Sequence, residues 1–427
     1  MKLTDDEKSM LDGNEGKAVG KAMELLVKYG EALGAGRFVD TNNVTLLSGL
    51  FMYPEVVRNA VKHFEMDEIA SKFFLDSDET VPFGKVKAFT TNHIFTVNNA
   101  YWKRIQRRSH TLAELAVMTE DFCRGIGVNN TATCSPYLAG NVPVKGQHCA
   151  WTESSAIPFA NAVVGARTNI EGCHSAFASA LTGKTPYWGM HIEENRFGTL
   201  LVDVETAPGS MFEWGLLGYY VAGVCGLKIP IYRNIRNRPT LNMLMPFNAA
   251  GGSSGSVIMY HIVGVTPEAA TLEMAAGNRN VVDRIRYGEK ERAEAYGKLN
   301  RSRSDKVGIV MLGCPHYSIE SIANVARLID GKTVNANTEL YVTTNRQTKA
   351  LADSNGYTET IAKAGGLLMA DTCGLEFNHA ASAVIATDSP KQAHYYPGKC
   401  GVENAWYGEV EECIDAAVSG IWRGELR

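Results

Sequence analysis

The sequence predicts an α/β fold built on a mostly parallel sheet. Two observations carry this. Short apolar strands alternate with helical stretches through the last third of the chain. The polar and reactive residues there fall just after the strands, on the edge where an open parallel sheet binds its ligands. A length of 427 residues suits two or three domains, taken here as approximate subdomains 1–130, 131–305 and 306–427.

Taken in order, Ala18 to Tyr29 places Ala18, Ala22, Leu25 and Leu26 at helical spacing with charges on the other face. Tyr53 to Phe64 and Arg108 to Arg124 also read as amphipathic helices. Lys103-Arg104…Arg107-Arg108 reads as a solvated helix face. The middle is rich in small residues, and Ser154 to Ala166 reads as a helix packed tightly on both sides. Gly251-Gly252-Ser253-Ser254-Gly255-Ser256 lacks the Gly-Lys-Ser/Thr ending of a phosphate loop and is expected to be a close-packed turn before a strand at Val257 to Val263. Gly34-Ala35-Gly36 has no third glycine in register for a dinucleotide fingerprint. Strands are then expected at Val307 to Gly313, Glu339 to Thr343, Gly366 to Ala370 and Ala383 to Thr387, with a helix from Ile319 to Ile329.

Composition excludes several classes. A net charge of −4 gives no electrostatic footprint for nucleic acid. The longest apolar run, Gly215 to Gly226, is shorter than the roughly 20 residues that span a bilayer. Met1 to Lys8 is charged and lacks the apolar core of a signal peptide. With nine scattered cysteines and no Cys-x-x-Cys pair, the expectation is a cytoplasmic enzyme with reduced thiols.

The strand ends collect Cys314 and His316, Thr344 and Asn345, Asp371 and Cys373, and Asp388 and Lys391. Two cysteines on loops at one sheet edge can converge although far apart in sequence. Cys123, Cys225 and Cys413 sit in apolar helical settings and read as structural, and Cys400 is undecided. Cys134, in the polar loop Thr131 to Tyr137, is a third candidate, but spacing does not select it over Cys149.

A resemblance does select it. Cys134-Ser135-Pro136-Tyr137, Gly146 to Ala156, Gly165 to Gly172, Gly264 to Ala269, Gly313-Cys314-Pro315-His316, Asp371-Thr372-Cys373 and Ser389 to Tyr395, in this order, resemble the catalytic region of the aconitase X family over essentially the whole chain. Gln147 stands where that family usually carries glutamate and Ile170 where arginine is common, and Val44 to Ala100 matches only loosely. The resemblance implies an aconitase-like fold of several α/β subdomains around a central cluster site. It implies a dehydratase with an iron–sulfur cluster, [4Fe–4S] in preference to [2Fe–2S], on Cys134, Cys314 and Cys373. It also implies a swivelling domain that supplies the catalytic base. The chain ends soon after the last matching block, so that domain is expected as a separate small subunit.

The anionic substrate needs cationic and N–H donors. Arg167 offers a two-pronged guanidinium, and Ser154 and Ser155 offer hydroxyls and backbone N–H groups at a helix start. Together with His316 these form the expected catalytic set, and Glu153, Thr168, Asn169, Ser389 and Lys391 the substrate-binding set. Within the family the resemblance allows cis-3-hydroxy-L-proline or phosphomevalonate. The lack of an obvious basic cluster for a phosphate favours the hydroxy amino acid or a similar small hydroxy acid. Two readings from other classes stay open: an iron–sulfur sensor without catalysis, and a mononuclear metal hydrolase using the same cysteines with His316.

Overall fold

The computed structural model describes residues 1–47, 65–95, 97–98 and 100–427. The helix expected from Tyr53 to Phe64 lies outside the described residues. No described helix is long and apolar enough to cross a membrane.

The first region carries four short strands: β1 (Phe38–Asp40), β2 (Asn43–Leu46), β3 (Phe89–Asn92) and β4 (Lys184–Pro186). β2 and β3 pair in parallel, and β1 and β4 pair antiparallel with Phe38 opposite Pro186. That second pairing draws residues up to the 180s into the first region, so the boundary expected near residue 130 does not hold. The helices Lys17–Ala32 and Cys173–Thr182 pack on this core through Met23, Leu26, Phe177 and Leu181. The expected helix at Arg108 to Arg124 is present as His110–Gly125 with Ser109 as its N-cap. The run Lys103 to Arg108 is not part of it. These residues form turns, and Arg107 has a left-handed φ of 54° that a helix does not accept.

The middle region holds β5 (Leu200–Val204), β6 (Pro230–Arg233), β7 (His261–Ile262) and β8 (Arg284–Tyr287) in one parallel sheet, order β7-β6-β5-β8. The apolar run becomes the helix Met211–Cys225, buried on most of its circumference and packed on the helix Leu241–Ser254. Gly251 to Ser254 therefore end a helix instead of forming a turn. The Ser253 and Ser254 hydroxyls bond back to the Ala249 and Ala250 carbonyls at 2.8 and 2.9 Å, which gives the small residues helical partners. The expected helix at Ser154 to Ala166 is a short α-turn, Ala156–Pro158, followed by a π-turn over Phe159–Val164.

The last region is a five-stranded parallel sheet of β9 (Ile309–Leu312), β10 (Glu339–Thr344), β11 (Leu367–Ala370), β12 (Val384–Thr387) and β13 (Asn404–Tyr407), order β11-β10-β9-β12-β13. The first four lie where the apolar runs predict them; β13 was not expected. The helix Ile319–Ile329 starts on a Ser318 cap and buries Ile322, Val325 and Ile329 against the sheet. These three side chains contribute about 1.5–3 kcal/mol each. The chain runs outward from β9 through β10 to β11, then returns to the other side of β9 for β12 and β13. The crevice between the carboxyl ends of β9 and β12 is therefore the topological switch point, where an open α/β sheet binds its ligand.

Candidate active site

Three cysteine loops meet at that crevice. Cys314 follows β9 through Gly313, whose φ is +94° and whose place leaves no room for a Cβ against the Thr343 carbonyl. Cys373 follows β11 through Asp371, a non-glycine residue with φ +73°. Arg346 holds that turn, its Nε 2.8 Å from both Asp371 oxygens and its Nη1 and Nη2 at 2.6 and 3.0 Å from Glu120. Cys134 comes from the first region. Its loop is laced to Asn92 at the end of β3, which accepts from the Thr131 hydroxyl at 3.1 Å and the Ala132 N–H at 2.9 Å.

All three thiols line one cavity of about 550 Å³ and are buried. Burial raises each of them, Cys134 to about 12, and Cys314 adds to the rise of both Cys134 and Cys373. Three protonated thiols facing a cavity are a donor set waiting for a thiophilic cation, whose charge would stabilise them as thiolates. Cys149 is in a separate core around Trp151 and does not line the cavity. Geometry thus separates Cys134 from Cys149, as sequence spacing did not. Cys123, Cys225 and Cys413 are buried within helices, and Cys400 ends the helix Pro390–Cys400.

The opposite wall is polar. Lys391, in the first turn of the helix after β12, donates to Glu153 Oε1 at 2.6 Å and to the Ser154 hydroxyl at 2.9 Å. The Ser155 N–H and hydroxyl donate to the same oxygen at 3.2 and 3.1 Å. His93 Nε2 lies 2.6 Å from Glu153 Oε2. Burial pushes the Glu153 carboxyl up, but Lys391 and His93 outweigh it and hold the group well below the carboxylate range. Burial likewise lowers Lys391, and the Glu153 carboxylate outweighs it, so the ammonium stays charged. Of the expected residues, Glu153, Ser154, Ser155, Lys391 and the three cysteines are brought together.

The others are not at the cavity. Arg167 donates to the His191 carbonyl at 3.0 Å and reaches Glu193 at 3.3 Å, as a tie within the first region. Thr168 and Asn169 are buried and bond the backbone at Trp151, Trp188 and Met190. Ser389 is buried as the N-cap of the Lys391 helix, though near enough to Cys314 to restrain the rise of that thiol. Burial lowers His316 to about 4, and both its ring nitrogens are engaged by Thr133 and Thr372. It therefore offers no free nitrogen to a metal or a substrate. Among the described residues, no three or more His, Cys, Asp and Glu side chains are grouped to hold a single metal ion, so the mononuclear alternative has no ligand set there.

Sequence reasoning missed His93, Arg108, Glu376, Tyr395 and Lys399, all of which line the cavity. Arg108 Nε donates to the Glu376 carbonyl at 2.7 Å, and Lys399 to the Glu376 carboxylate at 2.5 Å. A signal for Arg108 was present: Ser109 directly after it is a helix cap, which puts Arg108 before the helix and not on its face.

Comparison with known proteins agrees with this architecture. Residues 1–194 match the aconitase X first domain, 198–297 the second and 307–419 the third. This chain belongs to the aconitase X family. A phosphomevalonate dehydratase large subunit of Methanocaldococcus jannaschii is 33% identical over 97% of this chain and 99% of its own length. A cis-3-hydroxy-L-proline dehydratase of Hypocrea jecorina is 32% identical over 99% of this chain, which covers 69% of that protein. The crystal structure of Thermococcus kodakaraensis aconitase X in its holo-form superposes with a TM-score of 0.82 at 30% identity, over 98% of this chain and 100% of that one. As a member of aconitase X, the chain is a hydro-lyase.

Proposed function

We propose that this chain is the large subunit of an iron–sulfur-dependent dehydratase acting on a phosphorylated hydroxy acid of the phosphomevalonate type. One observation carries the reading: the thiols share their cavity with three cations, Arg108, Lys391 and Lys399, against two carboxylates, Glu153 and Glu376. The preference for an unphosphorylated hydroxy acid rested on the lack of such a cluster in the sequence. Here the cations form two poles. Lys399 pairs with the Glu376 carboxylate at 2.5 Å and Arg108 Nη2 lies 3.9 Å from it, while Lys391 stands with Glu153 and the Ser154 hydroxyl. A substrate with a phosphate at one end and a carboxylate at the other matches a net-basic pole at Arg108 and Lys399 and a pole of hydrogen-bond donors at Lys391 and Ser154.

The donor set fits an iron–sulfur cluster: three free, buried thiols on loops of different elements facing one cavity. Cys134, Cys314 and Cys373 would hold it, and three ligands leave one iron of a [4Fe–4S] cluster without a protein donor. When bound, such a cluster supplies a Lewis acid for the departing hydroxyl group. The chain's own residues do the rest of the binding. Lys391 and Ser154 orient the carboxylate, which acidifies the neighbouring C–H, and Arg108 and Lys399 hold the phosphate. In elimination that carbon's proton passes to a base, the C–H electron pair becomes the C=C bond, and the C–O bond breaks to release hydroxide. The hydroxide leaves as water once it takes a proton back from the protonated base or from solvent. Glu153 is not that base, because a carboxylate held so far below its usual range is a poor proton acceptor. A base on a small swivelling subunit completes the site, in keeping with the "large subunit" names of the relatives. A sensor would need the thiols alone; the two-pole wall supports an enzyme instead.

The test is anaerobic reconstitution with iron and sulfide, then assay of phosphomevalonate and cis-3-hydroxy-L-proline with and without the small subunit. The expected result is a coloured cluster protein that dehydrates phosphomevalonate only when the small subunit is added. A colourless protein with one tightly bound zinc would sink the cluster. Turnover of the hydroxyproline alone would sink the substrate, and full turnover by the isolated chain would sink the partner.

A further inference from the structure

The three cysteine loops come from separate elements, and one imidazole joins them. His316 is fully buried, two residues beyond Cys314 on the same loop. Its Nε2 is 2.9 Å from the carbonyl of Thr372, the residue before Cys373. A carbonyl only accepts, so Nε2 carries the proton and Nδ1 is the acceptor. Nδ1 is 3.0 Å from the hydroxyl of Thr133, the residue before Cys134, and that hydroxyl therefore donates to it. The His316 backbone N–H points at the Cys134 sulfur at 3.3 Å. Thr133 and Thr372 are anchored in turn, by the Ser135 N–H on the Thr133 hydroxyl at 3.0 Å and by Gln106 on the Thr372 hydroxyl at 2.8 Å. One ring thus spans the residues next to two cysteines while belonging to the loop of the third, and it ties the first region to the last.

We propose that His316 is a positioning residue that fixes the spacing of Cys134, Cys314 and Cys373, and is not an acid or base of the reaction. The imidazole ring places a donor and an acceptor on different edges of one rigid plane and so bridges the two threonines. The hydroxyl of Thr133 takes its orientation from Nδ1, and the His316 N–H donates to the Cys134 sulfur and so fixes its place. The proposal rests on the three-thiol cluster reading above.

The full-length chain is compared as wild type, His316→Leu, Thr133→Val and, as a control, His261→Leu. His261 is equally buried, with Nε2 at 2.8 Å from the Arg196 carbonyl, but belongs to the middle sheet. After anaerobic reconstitution, His316→Leu is expected to bind cluster about 10–100-fold more weakly, the usual effect of losing a partner behind a metal ligand. Thr133→Val should show a smaller loss and a shifted visible spectrum, and His261→Leu should match wild type. A second readout needs no cluster. In the metal-free chain, dibromobimane bridges neighbouring thiols, and peptide mapping reports links among Cys134, Cys314 and Cys373. Those links should fall in His316→Leu and Thr133→Val and persist in His261→Leu. Equal cluster content with equal bridging in His316→Leu and wild type overturns the proposal. If His316→Leu does not fold, Thr133→Val, which loses one hydroxyl, decides by the same two readings. A wild-type chain that takes up no cluster sinks the cluster reading alone. The bridging comparison then decides the proposal: reduced bridging supports it and equal bridging overturns it.

Discussion

Replacing Lys391 by methionine removes the main counter-charge of a buried carboxylate while keeping most of the side chain's volume. Lys391 and Glu153 are 12% and 10% exposed with Nζ–Oε1 at 2.6 Å. At that distance and an effective dielectric near 20, the attraction is about 6 kcal/mol, part of which offsets the desolvation of both groups. The expected net loss on breaking the pair is about 3–5 kcal/mol, because Glu153 is left buried without its ammonium partner. The sign depends on pH. The folded-state value of Glu153 is depressed below its ordinary 4.5, so its stabilisation is present above 4.5 and lost as pH falls through the depressed value. In Lys391→Met burial dominates, the folded value rises above 4.5, and the penalty is full at pH 8 but relieved towards pH 5 as the carboxyl takes a proton. Thermal melts at both pH values check this, with the melting temperature lowered by about 3–6 °C at pH 8 and clearly less at pH 5. The double variant Glu153→Gln/Lys391→Met should recover at least about 1–2 kcal/mol relative to the sum of the singles. The reasoning fails if Lys391→Met loses the same stability at both pH values and the two substitutions add.

Arg108→Met should raise KM for phosphomevalonate by about 10–100-fold, the worth of one or two charge-assisted hydrogen bonds, with little change in the melting temperature; steady-state kinetics and a melt report both. Cys134→Ala should lose the cluster and Cys149→Ala should keep it, as measured by bound iron and sulfide, since only the first lines the cavity. Burial raises Asp388 from 3.8 to about 6, so its protonated form favours the fold: that stability is full below 3.8 and lost as pH rises through about 6. Asp388→Asn should remove this step, worth about 3 kcal/mol in full and about 1.4 kcal/mol between pH 5 and 8, and denaturant melts at those two pH values should then differ less than in wild type. Gly313→Ala should destabilise the chain and scatter the Cys314 loop, because a Cβ there meets the Thr343 carbonyl; loss of cluster uptake together with a lower melting temperature would show it.

The last region was legible because parallel strands are buried on both faces and read as unbroken apolar runs. Val310 to Leu312 and Leu368 to Ala370 have that form, and the reactive residues fall directly after them. β13 escaped because Asn404-Ala405-Trp406-Tyr407 sits at the sheet edge, with Asn404 and Trp406 only half-buried, and so makes no such run. Cys134 was not separable from Cys149 by local sequence, since what distinguishes them is the bonding of the Cys134 loop to Asn92 through Thr131 and Ala132 and the His316 N–H on the Cys134 sulfur, residues remote in the chain. Arg167 misled for the same reason. Its charge is met by Glu193, 26 residues on, and nothing near Arg167 announces that partner. Local patterns find strand ends; which side chains share a cavity is decided by tertiary contact.

That distinction also accounts for the region of β5 to β8, residues 198–297, none of which lines the cavity. Its two buried helices reach the site through glycines. Gly252 lies so close under Ser154 that an added Cβ would stand 2.6 Å from the Ser154 carbonyl oxygen. Gly215 leaves room for Pro390, whose Cγ would be 3.2 Å from such a Cβ, and Pro390 opens the helix that carries Lys391. Gly252 thus abuts the backbone of Ser154, beside Glu153, and Gly215 abuts the side chains of Tyr407 and Pro390 at the start of the helix that carries Lys391. Side chains larger than hydrogen at either place would move the wall relative to the cysteine loops, which are held separately through His316 and Arg346. The Glu153–Lys391 pair needs only a small displacement to lose its 2.6 Å contact. The spacing between wall and thiols, on which orientation of a substrate depends, is therefore set in part by a domain that never touches the cavity.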